Sequence, residues 1–101
     1  MDARATLLDL LDHTRRRTAD RLAEAPDHGP LVSVGRQLAV LDAAVRAGRA
    51  LTDAEVDSLT LGRYAAREFE NGDPEYADAL HRVYHRVRQG DGVRRERPSA
   101  P

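Results

Sequence analysis

The sequence predicts an all-α fold, a compact antiparallel four-helix bundle formed by one domain, on three observations. The chain has 101 residues, the length of a single small domain. Aromatic residues are only 4% of it and Trp is absent, so Ala, Leu and Val supply most of the apolar fraction, as in packed helices. Apolar residues also recur at helical spacing along most of the chain. We therefore expect a helical domain at residues 2–89 and a flexible tail at residues 90–101.

The first helix is predicted to begin after an N-cap at Asp2 and to end near Glu24. One stripe of it is suited to a core, namely Leu7, Leu11, Thr18, Leu22 and Ala25, widened by Leu8. Three consecutive arginines, Arg15 to Arg17, lie on the other sides. Because Asp9, Asp12 and Asp20 are within helical reach, this run is better explained as a solvated, salt-bridged face than as a phosphate or partner site.

The second helix, from about Leu31 to Ala47, has the clearest periodicity in the chain. Its apolar residues follow spacings of three and four, at Leu31, Val34, Leu38, Leu41 and Val45. Pro30 suits the first turn of this helix, and Gly48 suits its C-terminal end. The stripe is long enough for a bundle helix and too short for a coiled coil.

The third helix is predicted to begin near Asp53 and to continue to Asn71. Thr52 and Glu55 have the spacing of a capping box. Gly62 falls in the middle, where it costs roughly 1 kcal/mol relative to Ala, so we expect a second backbone packed close to it. A helical projection places Leu59, Gly62, Ala65, Ala66 and Phe69 on the core side, and Thr60, Tyr64, Arg67 and Asn71 on the opposite side.

The fourth helix is predicted at residues 74–89, after a short loop. Asn71 and Gly72 end the preceding helix, Asp73 is suited to the N-cap, and Pro74 is suited to the first helical position. The apolar face consists of Tyr76, Leu80, Val83 and Val87, broadened by Ala77 and Tyr84. No periodicity follows Gly90, which is why the tail is predicted to start there.

Charge is unevenly distributed along a chain whose net charge is only −1. Residues 53–78 contain eight acids against Arg63 and Arg67, a net charge of −6. Residues 82–97 contain six arginines against Asp91 and Glu96, a net charge of +4. The overall balance disfavours non-specific nucleic-acid binding, and the acidic middle favours a basic partner.

The residue types needed for catalysis are not arranged for it. With no Cys, disulfides and thiolate metal sites are excluded. His81 and His85 stand at i and i+4 after Asp78, a spacing that could face a metal, but no further ligand cluster accompanies them, so we predict exposed histidines and no metal site. Neither Ser33 nor Ser58 has the context of a nucleophile. We expect no enzymatic activity and no cofactor.

Membrane and DNA association are also disfavoured by the sequence. No apolar run is long enough for a membrane span or a signal peptide, so we expect a cytoplasmic protein. The last two helices could form a helix-turn-helix, but a recognition helix that opens with Pro74, Glu75 and Asp78 would repel DNA. We expect no nucleic-acid partner. The alternative of a small helical regulatory or adaptor protein, including one associated with DNA, stays open.

Three segments resemble the signature of a known family: Leu59 to Gly62, Arg67 to Glu70, and Asp73 to Glu75. The resemblance extends through Leu31, Gln37 and Leu38 and as far as about Tyr84. The family consists of small all-helical immunity proteins that neutralise type VI secretion effectors with NAD(P)+ glycohydrolase activity. The resemblance implies an antitoxin that binds a cognate toxin domain and blocks its active-site cleft without any catalysis of its own.

The resemblance and the charge distribution together suggest a binding surface. Tyr64 and Arg67 would be its anchors, and complementary charge would come from Glu68, Glu70, Asp73, Glu75 and Asp78. We expect Glu70 and Asp73 to lie outside the core. Which toxin is bound, and whether the protein is a monomer or a homodimer, the sequence leaves open.

Overall fold

The computed structural model describes residues 2–96, most of which are helical. The elements are α1 (Ala3–Glu24), α2 (Gly29–Ala47), the short α3 (Asp53–Asp57), α4 (Leu61–Tyr64), a π-helical continuation of α4 (Ala65–Phe69, the π segment), and α5 (Pro74–Gln89). Within residues 2–96 the only β pairing is an isolated bridge between Leu51 and Arg95. The predicted all-α fold with four main helices is confirmed.

Four helix ends lie where the local sequence places them. The carboxylates of Asp2 and Asp73 accept backbone N–H groups of the first turns of α1 and α5. Thr52 and Glu55 form the predicted capping box at the start of α3. Gly48 ends α2 with a φ of 68°, a left-handed conformation that favours glycine.

The core lies where α1, α2, α4 and α5 meet, with α1 packed against α2 and α5 packed against α1, α4 and the π segment. The predicted stripe of α2 is fully buried. The largest buried side chains are Tyr76, Phe69, Leu7, Leu11, Leu31, Leu38, Leu41, Leu51, Leu61 and Leu80. Tyr76 donates its hydroxyl proton to Thr18 Oγ1 at 2.7 Å, because the single proton of Thr18 is already donated to the carbonyl of Thr14.

The prediction of one continuous third helix is wrong. α3 ends at Asp57 and α4 starts at Leu61. At the break, the backbone N–H of Thr60 donates to Gln37 Oε1 at 2.9 Å, so a side chain of α2 replaces a bond of the helical ladder. Gly62 consequently lies in the first turn of α4 and not in the middle of a long helix.

The π segment also changes which side chains face the core. The N–H of Glu70 donates to the carbonyl of Ala65 at 2.9 Å, five residues earlier, so the chain winds more widely than in an α-helix. Ala65 and Phe69 stay buried, but Ala66, predicted on the core side, is exposed. The projection at 100° per residue fails at Ala66 because the winding is not α-helical.

A close approach at Gly62 is present, but the neighbour differs from the one predicted. A Cβ atom at Gly62 would lie 3.3 Å from Tyr84 Cδ2 and 3.8 Å from His81 Nδ1. The missing side chain therefore makes room for the Tyr84 ring of α5, and the prediction of a neighbouring backbone is wrong.

The predicted start of the flexible tail at Gly90 is also wrong. Residues 91–96, here called the strap, dock between the start of α1 and the α2–α3 loop. Val93 of the strap is buried. The N–H of Leu51 donates to the carbonyl of Arg94 at 2.9 Å, and the carbonyl of Leu51 accepts the N–H of Glu96 at 2.8 Å. Gly92 has a φ of 94° and lies against α1. One apolar residue and a glycine carry no periodic signal, so the sequence pattern missed this docking. Residues 97–101 of the predicted tail lie outside the described residues.

Candidate functional site

Three of the predicted binding residues form one exposed surface on the π segment and the turn after it. Arg67, Glu68 and Glu70 are exposed, and so are Ala66, Asn71 and Gly72 around them. We call this surface, residues 66–72 without the buried Phe69, the π corner. π-helical turns are rare and recur at functional sites.

Phe69 anchors the π corner to the core. Its buried ring meets the Tyr76 ring edge-on, with centroids 5.0 Å apart and an interplanar angle of 70°. The guanidinium of Arg21 lies over both rings, 5.3 Å from the Phe69 centroid and 5.6 Å from that of Tyr76. The exposed side chains of the corner therefore project from a segment that is fixed by packing.

Asp73 lies at the edge of the core and not within it, but its carboxylate is held by groups of the same chain. Its carboxylate accepts from Arg17 NH2 at 3.0 Å, from Arg21 NH1 at 2.9 Å and from the Tyr76 N–H at 3.2 Å. Its burial alone would raise its pKa, but the Tyr76 N–H and the two guanidinium groups outweigh this, so the pKa of Asp73 lies below its ordinary value. All of its strong bonds are made within the chain, and it holds α5 to α1.

Glu75 and Asp78 are exposed on the first turns of α5, beside the π corner. Glu75 is 3.6 Å from Arg17 NH1, and its side chain is 85% exposed. Asp78 pairs with Arg82 at 3.1 Å on the same helix. Exposed pairs of this kind are worth less than about 1 kcal/mol, so a partner could compete for either carboxylate.

The two predicted anchors differ in exposure. Arg67 is exposed and has no ion-pair partner within residues 2–96. Tyr64 is half-buried and packs against the core, so only part of its side chain is accessible to a partner. It is half-buried because α4 lies directly on α5, which the helical projection could not show.

The acidic field of residues 53–78 is weaker than the count along the chain suggests. Five of its eight acids form ion pairs with arginines, mostly from other elements: Asp53, Glu55, Asp73, Glu75 and Asp78. Asp57, Glu68 and Glu70 have no such partner within residues 2–96. The unneutralised negative charge is thus concentrated on two glutamates of the π corner and one aspartate at the end of α3.

The histidine pair lies on a different surface. His81 and His85 are exposed and line a shallow groove of about 620 Å³ between α1 and α5. No group of three or more His, Cys, Asp or Glu side chains within residues 2–96 is arranged to hold a metal ion. Over the same residues, no helix combines the length and the apolar character that crossing a membrane requires.

Sequence reasoning missed the role of Gln37, which is half-buried on α2 and bonded to Thr60. Its position beside the core residue Leu38 was the available signal, because a long amide at the edge of a core usually bonds to a neighbouring backbone.

Comparisons with known proteins agree on one family. The model of the Tsi6 family matches residues 6–89. The immune protein Tsi6 of Pseudomonas aeruginosa is 33% identical over 94 residues, which cover 92% of this chain and 99% of the relative. The solved structure of Tsi6 from Pseudomonas aeruginosa superposes with a TM-score of 0.72 at 32% identity, covering 89% of this chain and 98% of the other. The solved structure of Tse6 in complex with Tsi6 contains a chain that matches with a TM-score of 0.72 at 31% identity, covering 92% and 99%.

Proposed function

The chain belongs to the Tsi6 family, and from this we propose that it is an immunity protein that binds the toxic domain of a cognate bacterial effector and blocks its active site. The observation that carries the proposal is the family match over nearly the whole chain. A relative with the same fold has been solved in complex with Tse6, which supports a protein partner for this chain as well.

We further propose that the partner is an NAD(P)+ glycohydrolase domain of a type VI secretion effector, as the signature segments imply. A cleft that binds a dinucleotide presents cationic side chains and N–H donors to phosphate groups. Glu68 and Glu70, which have no ion-pair partner in residues 2–96, are suited to such a cleft. A protein that occupies the cleft needs no catalytic group and no cofactor of its own.

The centre of the proposed interface is Arg67, Glu68 and Glu70. Glu75 and Asp78 would lie at its rim, and Tyr64 would contribute the accessible part of its side chain. Asp73 supports this surface from within, through Arg17 and Arg21. Because Phe69 and Asp73 already fix the segment, binding requires little further ordering, which favours tight association.

Titration of the purified protein against the C-terminal domain encoded by the adjacent reading frame tests this function. Inhibition by occlusion predicts that NAD+ hydrolysis falls in proportion to added protein and ends near one equivalent. Inactivation at far fewer equivalents would indicate catalysis by this chain. Undiminished hydrolysis at excess protein would refute the proposal. An inhibited domain with a different substrate would refute only the NAD(P)+ assignment.

A further inference from the structure

The break between α3 and α4 has one local contributor, Ser58, whose Oγ donates to the carbonyl of Glu55 at 2.7 Å. Residues 58–60 contain neither Gly nor Pro, and Thr60, the N-cap of α4, makes no capping bond with its own side chain. Insertion of a side chain into the hydrogen-bond ladder is a further known cause of a helix break.

The group that enters is the carboxamide of Gln37. Its Oε1 accepts the N–H of Thr60 at 2.9 Å, a donor that a continuous helix would direct to the carbonyl of Val56. Leu59 donates to that carbonyl instead, at 3.1 Å. Gln37 Nε2 donates to Thr60 Oγ1 at 2.7 Å and to Ser33 Oγ at 3.0 Å. One side chain of α2 thus engages both the N–H and the hydroxyl of Thr60.

The contact between Gln37 and Thr60, here called the clamp, joins two segments that are held by different interactions. On α2, the neighbouring side chains Leu38 and Leu41 are fully buried, so the backbone that carries Gln37 is fixed by the core. On the other side, the carbonyl of Thr60 accepts the N–H of Tyr64 at 2.9 Å, in the first turn of α4. α4 then leads without interruption into the π segment. The start of α4 is therefore held by the contact between Gln37 and Thr60 in addition to the packing of Leu61 in the core.

We propose that Gln37 is a positioning residue for partner binding, acting through Thr60 and without contact with the partner. The inference rests on the proposed function, because the surface that it positions is the π corner. With the carboxamide in place, α4 leaves α2 in one direction and presents Arg67, Glu68 and Glu70 in one arrangement. Without it, only the packing of Leu61, Ala65 and Phe69 holds the segment, so its start samples more positions and the partner must select one of them.

Gln37→Met tests the clamp. The Met side chain has a similar length but cannot form the two hydrogen bonds that the Gln37 carboxamide makes with Thr60. We expect about tenfold weaker binding to the C-terminal domain encoded by the adjacent reading frame, together with hydrogen exchange at the Thr60 amide at least about tenfold faster. Gln37→Glu keeps an acceptor for the Thr60 N–H, and the Thr60 hydroxyl can turn to donate to it, so this variant should restore most of the affinity.

Two controls separate positioning from general stability. Thr60→Val combined with Gln37→Met should weaken binding no more than the stronger single change, since both act on one contact. Val45→Ala, at a buried site near the far end of α2, should lower stability and leave affinity within twofold. If Gln37→Met exchanges the Thr60 amide faster but keeps an affinity within twofold of wild type, the positioning role of Gln37 is overturned and the proposed function is not affected. Absence of wild-type binding would overturn the proposed function and this inference with it.

Discussion

Removing the strap should destabilise the domain, which a flexible tail would not do. The perturbation is truncation after Gln89, compared with truncation after Glu96, which leaves the strap intact. Burial of a Val side chain is worth about 1.5–3 kcal/mol, and the two backbone bonds to Leu51 add about 1 kcal/mol each. Ordering a residue costs about 1–2 kcal/mol, so the entropy that the freed residues regain is at least as large as these gains, and the ion pairs of Asp91 and Arg95 and the other strap contacts must supply the balance. Because the strap is docked, we expect a net loss of about 1–2 kcal/mol, the usual size of a single-site effect.

Gly92→Ala provides a second measure of the same docking. A Cβ atom at this position would lie 2.5 Å from the carbonyl oxygen of Ala3 and 2.8 Å from Leu7 Cβ, so the strap cannot stay in place. Because an undocked strap resembles a truncated one, the cost of Gly92→Ala cannot exceed the cost of truncation after Gln89. Urea denaturation monitored by circular dichroism measures both free energies of unfolding. Equal stability of the two truncated forms, within about 0.5 kcal/mol, would refute the docking of the strap.

Two further predictions concern α4 and α5. Gly62→Leu should destabilise the domain by about 1–3 kcal/mol through overpacking against Tyr84. Gly29→Leu is the control and should be nearly neutral, because nothing lies within 4 Å of a Cβ atom at that position. Equal effects of the two changes in urea denaturation would show that Gly62 is not confined. Asp73→Asn should be destabilising at neutral pH. The pKa of Asp73 is lowered in the folded state, so the carboxylate stabilises the fold above about pH 4, and this stabilisation is lost as pH falls through the folded pKa. The difference in free energy of unfolding between wild type and Asp73→Asn should therefore narrow at acid pH. A constant difference from pH 7 to pH 2.5 would contradict the role assigned to Asp73.

The fold was predictable where the determining residues are neighbours in sequence. The capping box at Thr52, the N-cap at Asp73 and the stripe of α2 each depend on residues within a few positions, and each is present in the structure. The α3–α4 break was not predictable because Gln37, which accepts the N–H of Thr60 there, lies 23 residues earlier in the chain. The strap was missed for the same reason, since its partner Leu51 belongs to the α2–α3 loop.

The sequence identified the segment that carries the exposed surface, but not which of its side chains are exposed. The segment from residue 59 to residue 78 does contain the exposed π corner. A charge count along the chain could not show that Asp73 is paired with Arg17 and Arg21, which lie 56 and 52 residues earlier. Nor could a helical projection anticipate the π winding that exposes Ala66. The assignment of Arg67, Glu68 and Glu70 to the interface stays a prediction.

The affinity of a charge-reversed π corner for the toxin domain tests the central claim most directly. Glu68→Arg/Glu70→Arg changes two exposed residues without an internal ion pair in residues 2–96, so the fold should be retained. Asp9→Arg/Asp20→Arg, on exposed positions of α1, matches it in charge. At matched salt we expect the first variant to bind at least about 100-fold more weakly and the control to bind like wild type. Wild-type affinity of the first variant would place the interface elsewhere, with the arginine-rich face of α1 as the next candidate.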